Sequence, residues 1–310
     1  MFGNNKCKVA IVGAGGRLGK HILSALLSPE FRSSYADVVV LRRSGTESAV
    51  IPNATVRTFE QDTIGDCIHD VDVLISAVGP TGHAFKDSLV NAMAKSSVRL
   101  YIPSEFGVDH TVHDFPHAEW DHKKLHFDLT QKFIPNVQVL RIYVGLFLEE
   151  SIGPWFGFHT AADKYDCIGS ADTPVSYTSL DDAGKVVAQV ARMQMLPILE
   201  QIHIGGDTKS TRETAHIMQE AGAGKVKINE LDLEKWKKAT IEEGTADPSK
   251  YLRFLMGEGR INHTQEGLGN DNEIVNPGQT LWKWKTMMDY AQETKGKPWA
   301  EFKWDESVVS

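Results

Sequence analysis

The run VAIVGAGGRLGKHI, residues 9–22, restricts the fold of this chain more than any other stretch. It opens inside KCKVAIVG, a short apolar segment rich in β-branched residues that reads as a strand. Gly13, Gly16 and Gly19 follow in a GxxGxxG pattern. Leu18, Ile22, Ala25 and Leu26 then recur at helical spacing until Ser28-Pro29 ends the helix. Glycine permits the tight turn, lets a pyrophosphate approach the backbone and lets the helix pack close to the strand. The open N–H groups of the first helical turn then face an anion. This differs from the usual GxGxxG, since Leu18 stands where that pattern has its third glycine. Gly13, Gly15, Gly16, Arg17, Leu18 and Gly19 are therefore the candidate phosphate-binding segment.

The second strand, DVVVLRR, bears on which dinucleotide binds. A site for NAD has an Asp or Glu at the end of this strand to hold the ribose 2′-hydroxyl. Here Arg42 and Arg43 occupy that end, and the nearby acid, Asp37, lies at the other. A carboxylate would repel a 2′-phosphate, whereas a guanidinium binds it bidentately. The expected cofactor is NADP(H), with Arg17 adding to the positive cluster. The net charge of −8 argues against a nucleic-acid surface, so any anion must be drawn by such a local group.

Beyond ATVRTFE and VDVLISAVG, a helix is expected over Ala84–Lys95, then the strand VRLYIP, a helix over Glu119–Lys132 and the strand VQVLRIYVG. Strands apolar throughout and separated by helices indicate a doubly wound parallel sheet of the Rossmann type. After Gly145 the alternation fades into FLEESIGPWFGFHTAADKYDCIG. Helices are expected at Asp182–Met195, Glu213–Ala221, Leu231–Glu243 and Thr280–Gln292, and MGEGRINHTQEGLGNDNEIVNPGQ reads as a long loop. The division expected is a dinucleotide-binding domain over 1–148 and a smaller substrate-binding domain over 149–310, with the chain able to recross. At 41% hydrophobic and 24% charged residues the chain is of globular composition. No apolar run nears the roughly 20 residues that span a bilayer. The first strand begins too early to leave room for a signal peptide, and Cys7, Cys67 and Cys167 form no CxxC pair. A cytoplasmic protein is expected, without a membrane segment; whether it forms a homo-oligomer stays open.

With GAGGRLG, VDVLISAVG and above all YIPSEFGVD in hand, the chain resembles the NmrA-like atypical short-chain dehydrogenases. Within them it is most similar to the isoflavone reductase and phenylcoumaran benzylic ether reductase group. NPGQTLWKWKTMMDYAQE resembles the C-terminal stretch of the fungal isoflavone-reductase-like proteins. One departure is Gly15, where the family has threonine. The resemblance implies an NADPH-dependent reductase acting on aromatic, phenylpropanoid-like compounds. It also implies a catalytic lysine on the helix after PSEFG, here Lys123 first and Lys124 second. No tyrosine is followed four residues later by lysine; Trp120 holds that place before Lys124 and has no acidic proton to give.

The nicotinamide is then expected beside Ser76, Ala77, Val78 and Gly79, and beside Ser104, Glu105 and Phe106, with Phe106 near its ring. His122, Trp155, Phe156 and Phe158 are candidates for the wall of the substrate pocket, and Trp282 and Trp284 for the same or for core. His110, His113, His117, His122 and His126 crowd one segment, but no HExxH motif and no nearby cysteine accompany them, so no metal is expected. Two further functions stay open at this point: an NmrA-type redox sensor that binds dinucleotide without turnover, and a dinucleotide-dependent isomerase or lyase.

Overall fold

The computed structural model describes residues 6–45, 50–60, 63–113, 115–193 and 199–303. The first half runs β1 (Cys7–Val12), α1 (Arg17–Leu27), β2 (Tyr35–Arg43), β3 (Thr55–Phe59), α2 (Ile64–Ile68), β4 (Val73–Ser76), α3 (His83–Met93), β5 (Leu100–Ile102), α4 (Ala118–Phe133), β6 (Gln138–Val139) and β7 (Arg141–Tyr143). Six strands pair in the order β3-β2-β1-β4-β5-β6, all parallel. This is the order in which the chain reverses direction between β1 and β4 and opens a crevice beyond their carboxyl ends.

Strand pleating sends successive side chains to opposite faces. Val9 and Ile11 pack with Ile22 and Leu26 of α1, while Leu74 and Tyr101 pack with Leu89, Val90 and Met93 of α3. Each of these side chains is essentially inaccessible, and burying an aliphatic one contributes about 1.5–3 kcal/mol. The glycine loop is dictated by close approach. Gly13 has φ +85°, and a Cβ there would lie 2.5 Å from the carbonyl oxygen of Ala77. A Cβ on Gly19 would lie 2.0 Å from the Gly13 oxygen, so α1 seats against β1 only without one.

VQVLRIYVG changes partners midway. Leu140 N–H still donates to Tyr101, but Arg141 N–H donates to Glu200, and β7 pairs in parallel with β12 (Gln201–His203) of the second half. The second half runs β8 (Leu146–Phe147), α5 (Leu148–Ser151), β9 (Phe158–His159), β10 (Lys164–Ile168), β11 (Val175–Thr178), α6 (Leu180–Met193), β12, β13 (Asp207–Lys209), α7 (Thr211–Glu220), β14 (Lys227–Leu231), α8 (Leu233–Glu243), α9 (Pro248–Gly257), α10 (Asn272–Val275) and α11 (Met287–Glu293). Two small sheets, β14-β10-β9 and β13-β11-β8, carry a core of Phe158, Tyr165, Tyr177 and Phe254. Two segments return to the first half: β12, which pairs with β7, and α6, whose Val186, Val187 and Val190 share the core of β1 and α1. Gly184 of α6 packs so closely on α1 that a Cβ would lie 2.6 Å from the His21 carbonyl oxygen.

Three expectations for the second half are corrected. Residues 147–169 hold strands, too short for alternation to register. Helix α9 was not anticipated and takes in the first two residues of the segment read as a loop, which also contains α10. The helix expected from Thr280 begins only at Met287. Trp282 and Trp284 pack into the core by Phe31, and Thr286 with Asp289 forms a capping box that sets the start. The expected end of α6 at Met195 lies outside the described residues.

Candidate active site

Two clefts flank the glycine loop. The first, about 420 Å³, is lined by Gly13, Ala14, Gly15 and Gly16, by Arg42 and Arg43 at the end of β2, and by Val78, Phe59 and Phe85. A Cβ on Gly15 would meet nothing within 4 Å, so this backbone faces open space. Gly16 is the N-cap of α1 and supplies no side-chain cap, leaving the first-turn N–H groups, Arg17 to Gly19, without an i−4 acceptor. Pleating separates the two arginines: Arg43 shares a face with Leu41 and its guanidinium lies 5.9 Å from the Phe85 ring, and Arg42 lies on the α1 side. Asp37 is at the far end of the strand, where Thr55 donates to it. An anion-seeking backbone, a crevice open over Gly15 and two guanidiniums fit a phosphorylated dinucleotide.

The second cleft, about 270 Å³, lies on the other side of Arg17. Lys123, His110, Glu119 and Trp120 line it from the segment around α4, and Phe147, Glu150, Trp155 and Phe156 from the second half. Lys123 is 15% exposed; its Nζ lies 3.7 Å from Glu105 Oε2 and 3.4 Å from His110 Nε2. Lys124 points elsewhere, donating to the His113 carbonyl oxygen at 3.3 Å and lying near Asp121. Glu105 is buried, and burial pushes its carboxyl above the usual range against the pull of Lys123 and Lys86.

PSEFG does more than end a strand. Glu105 N–H donates to Pro103 and Gly107 N–H to Glu105, a tight pair of turns. The Gly107 carbonyl then accepts from Val144 and Gly145, joining the loops that follow β5 and β7. Phe106 does not reach either cleft; it is buried with Leu140, Ile142 and Val144 and holds the turn to the core. This corrects its expected place near the cofactor ring. Ser104 is half-buried and lines neither cleft. Ser76 is fully buried, Ala77 backs Gly13, Val78 lines the first cleft and Gly79 is exposed.

Of the candidate pocket residues, Trp155 and Phe156 line the Lys123 cleft and two do not. Phe158 packs edge-on against Tyr165, ring centroids 4.9 Å apart, in the second core. His122 turns to α3, 4.1 Å from the His83 ring and 3.5 Å from Asp87. His110 and His117 stack on Trp120 at 4.7 and 4.1 Å and His113 lies tilted against it, whereas His126 packs on Tyr101 and lies 3.0 Å from Asp87. Among the described residues no three His, Cys, Asp or Glu side chains are grouped to hold a metal ion.

Several residues escaped the sequence. Lys86 of α3 is buried, and desolvation, then the charge of Lys123, pushes its pKa down to about 8. Its signal was present, a lysine in the apolar stripe with Leu89, Val90 and Met93. Asp109 ties the His110 segment to β12: its Oδ1 accepts from Thr111 N–H, and its Oδ2 lies 3.2 Å from His203 Nε2. Burial raises the Asp109 pKa, but these hydrogen bonds outweigh it and hold the group at about 2. No local pattern announces a partner ninety residues away.

Residues 5–291 match the model of the NmrA-like family. The chain belongs to the NmrA-like family. An oxidoreductase of Aspergillus flavus is 24% identical to it over 243 residues, 76% of this chain and 80% of that protein. Among solved structures, the leucoanthocyanidin reductase–NADPH complex of Vitis vinifera superimposes with a TM-score of 0.72 at 16% identity, covering 93% of this chain and 99% of that one. An isoflavone reductase gives a TM-score of 0.73 at 17% identity, with the same coverage. Both the family match and the structural likeness extend through the second half of this NmrA-like protein, where short motifs are few. No described helix is long and apolar enough to cross a membrane.

Proposed function

We propose that this protein is an NADP(H)-dependent reductase of a small aromatic compound bearing a carbonyl, enone or benzylic ether, with Lys123 as its acid–base residue. The observation that carries this reading is the Lys123 amine, held between Glu105 and His110, on an aromatic-walled pocket that adjoins the glycine-loop crevice at Arg17. Membership of the NmrA-like family and a fold shared with an NADPH-bound reductase support it.

Bound along the glycine loop, NADPH supplies the hydride. Arg42 and Arg43 hold the 2′-phosphate by charge-assisted bonds, and the N–H groups opening α1 face the diphosphate. Trp120, Trp155 and Phe156 flank the substrate ring and keep water from the reacting carbon. Lys123 gives a proton, or its positive charge, to the oxygen that becomes anionic. Glu105 orients the ammonium, and His110 restricts its swing.

The test is loss of NADPH absorbance against a panel of aryl ketones, enones and benzylic ethers, with calorimetry for both dinucleotides. At least one class is expected to be reduced, and NADP+ to bind more tightly than NAD+. Replacing Arg42 and Arg43 by alanine should each weaken NADP+ roughly 10- to 100-fold, the loss of one charged hydrogen bond of about 1.5–3 kcal/mol, and leave NAD+ nearly unchanged. Tighter NAD+ binding would remove the cofactor assignment. Tight NADP+ binding with no compound reduced would point to a redox sensor.

A further inference from the structure

One ion pair joins the two clefts. Arg17, the first residue of α1, places Nε 2.7 Å from Oε1 of Glu150 in α5. The guanidinium is 69% exposed and the carboxylate 19%. Both line the Lys123 pocket, whereas the neighbouring Gly16 lines the glycine-loop crevice. Arg17 therefore stands where a dinucleotide must pass from one cleft to the other, beside the open first turn of α1 that favours its diphosphate.

That position makes Glu150 a competitor. Its carboxylate and the diphosphate are both anions within reach of the same guanidinium. An ion pair with so exposed a partner holds weakly. A diphosphate brings more charge and several oxygens that match the planar fork of arginine. Glu150 is also half-buried, and burial raises its pKa while Arg17 opposes the rise, so the carboxylate depends on this partner.

We propose that Arg17 is a diphosphate ligand held in the free protein by Glu150, and that cofactor binding transfers its guanidinium from the carboxylate to the diphosphate. This rests on the crevice being the NADP(H) site. The exchange makes Glu150 a brake on cofactor affinity. Glu150 also borders the substrate side, where its backbone carbonyl accepts the indole N–H of Trp155 at 2.8 Å on the pocket wall.

The test is titration calorimetry of NADP+ with wild type, Glu150→Gln, Arg17→Ala and the double variant. Gln is nearly isosteric and Arg17 is mostly exposed, so each variant should fold; near-UV circular dichroism checks this. Glu150→Gln is expected to bind NADP+ about fivefold more tightly, the strength of an exposed pair. Arg17→Ala is expected to bind more weakly than wild type, and the double variant to match Arg17→Ala. An unchanged or weaker Glu150→Gln would overturn the exchange, as would tightening that persists without Arg17, since that would be plain charge removal. Wild type that binds no NADP+ at all would overturn the cofactor site and the exchange together; binding with no Glu150 effect overturns only the exchange.

Discussion

Lys123→Ala is expected to lower kcat by roughly 10²- to 10⁴-fold, the usual contribution of a positioned acid or base, with NADP+ affinity within a few-fold of wild type. Lys123 lines the 270 Å³ pocket and is absent from the wall of the glycine-loop crevice, so removing it should spare the dinucleotide. Lys124→Ala is the control, because that amine is bound to the His113 carbonyl on the far side of the helix turn; its kcat should stay within about twofold. Glu105→Gln separates positioning from chemistry. The ammonium would keep its pocket but lose the buried carboxylate 3.7 Å away, so kcat should fall less than in Lys123→Ala and its pH dependence should move. Steady-state NADPH oxidation with the compound found in the panel, alongside calorimetry, gives all three values. Turnover surviving in Lys123→Ala would end the assignment.

The parts of this site that could be read from the chain are those whose signals are local. Strand, glycine turn and amphipathic helix follow one another between residues 7 and 27, and Gly19 answers to the nearby Gly13, although Gly13 itself is set by the distant Ala77. The arginines at the end of β2 follow from strand position alone. Helix α9 also carried a local signal, Asp247 as N-cap followed by Pro248, which the glycine-rich residues beyond it masked. What could not be read is what depends on distant packing. Phe106 and Phe158 carry the chemistry of pocket residues, but their surroundings make them core. His122 and Lys124 share a helix with Lys123, and side-chain direction around that helix, not residue type, decides which amine opens on the pocket. Glu150 meets Arg17 only because α5 folds back across the glycine loop.

Acid is expected to destabilise this protein steeply between about pH 6.5 and pH 4, before most carboxylates are protonated. Burial lowers the pKa of His83, His110, His113, His117, His126 and His263, with His113 and His263 pushed down to about 4. Unfolded imidazole titrates near 6.5. Between the folded and unfolded values the unfolded chain holds more protons, so stability is complete above about 6.5 and drains away as pH falls towards the folded values. For the fully buried His263 a gap of that size is worth about 3 kcal/mol, a large share of the 5–15 kcal/mol that holds a typical domain together. Glu105 works in the opposite direction. Its raised pKa leaves the folded state richer in protons just above the carboxylate range, as does that of Glu150, but these two carboxyls stand against six histidines. Urea unfolding at pH 7, 6 and 5 should show stability falling by more than about 1.4 kcal/mol per pH unit, the slope for one proton. His263→Gln cannot take up the proton and should flatten that slope. A midpoint that holds steady from pH 6.5 to 4.5 would mean these rings are protonated inside the fold, and that the packing around Trp120 is not the neutral stack its geometry indicates.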